Sequence, residues 1–223
     1  MYFPEIFYYY YYALLLVGSI LSVLCYYTGD KRSLYIFLLL ISTLIEENLR
    51  LYLKDVKLSS AYVVNLFAGI EYSFFTFYAL NVRNKRSTQL WLKVSVILFL
   101  CYSVFNGILV YQSTEKYKYL ITRNINIEGI LLFIVYTHLL FNIDAKIPLP
   151  IFRHSEFWVA VGVLLFYGGV FVVLGLYPVL IKMNSTTTPF IYENILRPLN
   201  ITLYLCILGG SVCYLINKKY LTR

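Results

Sequence analysis

Charge is what this chain has least of. Asp, Glu, Lys and Arg make up 13% of its 223 residues, against about 25% in soluble domains. With 60% hydrophobic residues and a mean hydropathy of +0.70, a soluble protein of this length could not hide its apolar surface in one core. Histidine is nearly missing: His138 and His154 stand alone and neither forms HExxH, so the usual zinc-hydrolase signature is absent. GxSxG is absent as well, which removes the serine-hydrolase elbow. Cys25, Cys101, Cys206 and Cys213 lie apart inside apolar stretches without a CxxC pair and read as small core residues. No Lys or Arg precedes the first apolar run. That run is therefore expected to remain as a span, not to leave as a signal peptide.

What the chain has instead is long apolar runs. A helix needs about 20 apolar residues to cross the hydrocarbon layer, and seven stretches qualify: roughly 6–28, 33–53, 61–81, 90–111, 120–142, 157–181 and 190–216. Short polar punctuation separates them, as at Gly29 to Arg32, Lys54-Asp55 and Arg83 to Arg86. The alternating ten-residue pattern of barrel strands, about half a helical span in length, does not occur. The expected fold is all-α: one polytopic membrane bundle of about seven transmembrane helices over residues 1–223. Spans two, five and seven are the most polar. Gly162, Gly168, Gly169 and Gly175 are expected to permit close packing of the sixth helix.

The formal charge is +8, but the basic residues fall in short runs between apolar stretches. That is the placement of topology signals and lipid head-group contacts, not of a nucleic-acid surface. The side shared with the N-terminus holds Lys54, Lys57, Lys116, Lys118 and Lys182. The opposite side holds Lys31, Arg32, Arg83, Lys85, Arg86, Lys93, Lys146, Arg153, Lys218, Lys219 and Arg223. The excess places the N-terminus outside and the C-terminus in the cytoplasm.

Ionisable residues within spans carry the functional signal, because each costs about 2.5–3.5 kcal/mol or more at the bilayer centre. Span two carries Glu46, Glu47 and Arg50; span three, Asn65 and Glu71; span five, Arg123, Asn124, Asn126 and Glu128; span seven, Glu193, Arg197 and Asn200. Helix direction puts all four sets in the outer half of the bundle. Glu46 with Arg50, and Glu193 with Arg197, are i,i+4 neighbours. Pro198 loosens the seventh helix beside this stripe. The carboxylates of Glu46, Glu47, Glu71, Glu128 and Glu193 outnumber the guanidinium groups of Arg50, Arg123 and Arg197. The group therefore calls for protonation, a cation or water. The competing readings are charges resting at the interface, and ion pairs that only lock the bundle. His138, near the inner end of span five, reads as an interface residue.

Span seven has no lysine between Pro189 and Asn217, which excludes a retinal Schiff base. No cofactor is implied, and nothing in the spacing demands a metal. A carrier is supported by polar groups and a proline-broken helix, though spans one to three do not visibly repeat in five to seven. The strings Ile70-Glu71-Tyr72-Ser73-Phe74-Phe75, Phe157-Trp158 and Leu165-Phe166-Tyr167-Gly168-Gly169 resemble those of seven-helix bacterial inner-membrane proteins. Those proteins are similar to the membrane sensor regions that elsewhere precede histidine kinases. The resemblance implies a bacterial inner-membrane location and a sensor or receptor role, and the excess of carboxylates points to a small polar or cationic ligand. With no kinase after Arg223, the resemblance implies a separate protein signalling partner. The acidic residues, with Arg50, Arg123, Arg197, Asn65, Asn126 and Asn200, are the candidate ligand-binding set.

Overall fold

The computed structural model describes residues 4–58, 61–82, 86–112, 118–143, 150–183 and 187–221. Among them it is all-helical: α1 (Pro4–Tyr27), α2 (Ser33–Asp55), α3 (Ala61–Val82), α4 (Arg86–Gln112), α5 (Lys118–Leu140), α6 (Ser155–Met183) and α7 (Thr187–Leu221). A short 3-10 turn, Ile151–Arg153, precedes α6. These helices track the apolar stretches of the sequence, α4 and α7 running further into the polar flanks.

Five of the helices contain a segment long and apolar enough to cross a membrane: Tyr8–Tyr27, Tyr62–Val82, Gln89–Leu109, Ser155–Val173 and Asn194–Lys218. Helices α2 and α5 do not reach that standard among the described residues. Both carry charged and amide side chains along the faces that meet other helices. The chain is a helical membrane bundle.

Six helices close a ring, in which α1 packs on α2, α2 on α3, α3 on α5, α5 on α6, α6 on α7, and α7 back on α1. Helix α4 flanks this ring, held mainly by α3 and more lightly by α5. The centre is filled. Leu15, Leu39, Leu40, Phe75, Leu132, Tyr136, Val163, Leu203 and Ile207 are all essentially inaccessible, so the ring encloses a packed core and not a pore. The Tyr136 hydroxyl donates to the Phe75 carbonyl at 2.9 Å, which satisfies a polar group that would otherwise be stranded in this apolar layer.

Two local features set the helix ends and spacings. Gly29, at φ +114°, ends α1, and the amide of Asp30 reaches back to the Cys25 carbonyl at 3.0 Å, the 6→1 bond of a Schellman cap. Between α6 and α7, a Cβ added at Gly162 would stand 2.7 Å from Cys206 Cβ, and one at Gly169 would stand 2.5 Å from a Leu199 methyl. Nothing lies within 4 Å of a Cβ at Gly168. Of the glycines expected to admit a neighbouring helix, Gly162 and Gly169 therefore do so and Gly168 does not. The side chain at position 175 lies outside the described residues.

Candidate functional site

Alternating helix direction brings the starts of α1, α3, α5 and α7 to the same end of the bundle as the end of α2. Polar side chains gather there, at the level the sequence predicts. On α2, Arg50 Nη1 lies 3.5 Å from Glu46 and 3.6 Å from Glu47. Glu46 is buried, Glu47 partly so. Tyr11 of α1 donates to Glu47 at 3.4 Å and meets the ring of Tyr204 of α7 edge-on, 5.5 Å between centroids. Tyr204 in turn neighbours Thr43 and Glu71.

Deeper, Tyr167 of α6 donates to Glu128 of α5 at 2.9 Å, and its hydroxyl also meets Glu71 of α3. Glu128 is fully buried and Glu71 keeps partial exposure. Among the described residues, the charged neighbours of this pair are each other and Glu46, all carboxylates. The arginine of the group, Arg50, sits on Glu46 and Glu47.

A neutral patch lies beside the acidic one. Asn124 donates to the Asn65 carbonyl at 3.0 Å and accepts from Ser103 of α4 at 3.4 Å. Both asparagines are buried, and the Asn65 backbone carbonyl belongs to the α3–α4–α5 junction. Asn126 is partly buried, and Arg123 points to the surface. Arg197 and Asn200 are partly buried on α7. The side chain of Glu193 lies outside the described residues, as do Lys85 and Lys146. His138 is exposed near the end of α5, its Nδ1 3.2 Å from the Asn142 amide.

Sequence reading missed the tyrosines. Tyr11, Tyr167 and Tyr204 are three of 24 in the chain, and nothing in composition singles them out. The usable signal was physical: a phenol well inside an apolar span must find a partner for its hydroxyl.

A second polar group lies at the opposite end, and Arg32 is part of it. Counted as a topology signal, Arg32 is mostly buried. Its Nε lies 2.6 Å from Asp30 and its Nη1 bonds Glu156 at the start of α6. Burial opposes its charge, but Tyr78, Glu156 and Asp30 more than offset this and hold the guanidinium above its ordinary pKa. Behind this bridge, Asp30, Ser33, Tyr78, Ser155, Ser211 and Tyr214 line a small cavity, just large enough for one water-sized guest. Between the two polar ends lies the dry layer of Phe75, Leu132, Val163 and Leu203.

Among the described residues, no group of three or more His, Cys, Asp or Glu side chains is placed to hold a metal ion together. The cysteines are free thiols. No family model, curated protein or solved structure matches this chain.

Proposed function

We propose that this chain is a seven-span inner-membrane protein, N-terminus outside and C-terminus cytoplasmic, that binds a small polar or cationic ligand as a sensor or receptor-like module. One observation carries the reading. Glu71 and Glu128 share a single phenol, Tyr167, in the bundle interior, and the nearby guanidinium of Arg50 lies on other carboxylates. Two carboxylates in a low-dielectric interior, whose charged neighbours among the described residues are carboxylates, favour a positively charged guest. The resemblance to sensor regions supports the same role, with the signal passed to a separate protein.

The test is thermal unfolding of the purified chain in sodium-free buffer with ammonium, methylammonium and guanidinium salts. At least one of these raises the midpoint in the wild type, and Glu71→Gln removes the rise while insertion and folding persist. Stabilisation that survives in both Glu71→Gln and Glu128→Gln overturns the reading. So does the absence of any cation effect alongside a lowered midpoint in the variants, which leaves a purely structural ion-pair subunit.

A carrier is the second reading, favoured by the layout of two polar ends with a dry layer between them. Uptake of the same cations into proteoliposomes, driven by a pH gradient, separates it from a sensor.

A further inference from the structure

The cavity at the far end has an unusual chemical bias: its serine hydroxyls have already committed their protons. Ser33 donates to Asp30 at 2.9 Å, Ser155 to Glu156 at 3.2 Å, and Ser211 to the Ile207 carbonyl at 3.1 Å. A hydroxyl has one proton and two lone pairs, so each of the three keeps acceptor capacity beyond the bond it donates. Tyr78 and Tyr214 add phenol oxygens already engaged with Ser155 and Thr28. Asp30 adds a carboxylate, 6% exposed. The lining thus offers side-chain oxygen atoms from four helices and the α1–α2 turn, none of its side chains carries nitrogen, and Ile36, Val159, Ile207 and Gly210 complete the wall.

Charge points the same way. Arg32 is one cation between two carboxylates, Asp30 and Glu156, and the three side chains are 18%, 6% and 17% exposed. The trio carries one net negative charge, which is costly to bury without a counter-charge. His154 is buried beside Glu156 and the Cys25 thiol lies near Asp30, while Lys31 and Arg153 at this end are exposed.

We propose that this cavity is a binding site for a single small monovalent cation of the sodium class. A hard cation with oxygen ligands fits the six oxygen-bearing side chains of this lining, and a space for one water excludes anything larger. The occupant ties the α1–α2 turn to α3, α6 and α7, on the far side of the dry layer from the Glu71–Glu128 pair. It is therefore independent of the ligand proposed above.

The test is thermal unfolding of the whole purified chain in chloride salts of sodium, potassium or N-methylglucamine at constant ionic strength. Sodium raises the midpoint in a saturable way, potassium less so, and N-methylglucamine not at all. Ser211→Ala keeps the helix and removes one ligand oxygen. Its half-saturating sodium concentration rises about tenfold, the equivalent of roughly 1.4 kcal/mol. Asp30→Asn abolishes the response, and Glu71→Gln leaves it intact. A sodium response unchanged in Ser211→Ala and Asp30→Asn overturns the site. No difference between sodium and N-methylglucamine in the wild type also overturns it, and assigns the cavity to a water molecule. A response that follows the protonation of His154, lost in His154→Gln while Ser211→Ala responds normally, assigns the counter-charge to the imidazole and likewise overturns the proposal.

Discussion

The hydroxyl of Tyr167 joins Glu128, 2.9 Å away on α5, to Glu71 on α3. One phenol thereby links three helices of the ring. A phenol has a single proton to give, so with both carboxylates ionised one of them would be left without a donor from it.

Replacing Tyr167 by Phe removes this bridge without changing the shape of the ring. The expected loss is about 1–2 kcal/mol, read as a lowered unfolding midpoint in detergent. Glu128→Gln in the Phe background restores part of it, because the amide removes a bare charge. A Tyr167→Phe protein as stable as the wild type contradicts the bridge.

The Arg32–Glu156 pair spans the α1–α2 turn and α6. Removing one member strands the other in a mostly buried setting, so Arg32→Ala is expected to cost about 2–4 kcal/mol. The companion Glu156→Gln costs less, since Asp30 remains to hold Arg32. A double-mutant cycle on Arg32 and Glu156 checks the coupling, and additive losses argue against a direct contact.

The α6 glycines rank themselves by what surrounds them. Gly162→Ala meets the stiff Cβ of Cys206 and costs about 1–3 kcal/mol. Gly169→Ala meets only the mobile end of Leu199 and costs less. Gly168→Ala meets open space and gains about 0.5–1 kcal/mol from the stiffer chain. Unfolding midpoints of the three variants in one detergent check the order; a destabilised Gly168→Ala breaks it.

Asn124 and Arg123 are adjacent in sequence and opposite in consequence. Asn124→Ala breaks the contacts to Asn65 and Ser103 and lowers stability by about 1 kcal/mol. Arg123→Ala alters an exposed side chain and stays within about 0.5 kcal/mol of wild type. Comparing their SDS-unfolding curves separates the two, and a large Arg123 effect would restore it to the acidic group.

Apolar run length made the helices legible, because the bilayer imposes one length on them. Helix direction made the common depth of Glu46, Glu71 and Glu128 legible too. Which helices touch was not. Nothing in the α4 sequence says that it lies outside the ring, since a lipid-facing helix and a core-facing one are equally apolar. The arginines show the same limit. Arg50 and Glu46 lie one turn apart on a helix, so their pairing could be read locally. Arg32 and Glu156 are 124 positions apart, and only the ring makes them neighbours.

Closure of that ring falls on the last of its six helices in chain order. Cys25 on α1 meets the Ser211 carbonyl on α7 across 186 positions, and the Tyr11–Tyr204 contact closes the same seam. A ribosome inserting this protein releases α1 well before α7, so α1 keeps a bare flank in the lipid until α7 emerges. A nascent chain halted before α7 emerges leaves Glu47, Tyr11 and Thr43 without the wall that Tyr204 supplies. Quality control in the membrane therefore has a ready mark of an unfinished molecule: polar side chains facing lipid at the open seam.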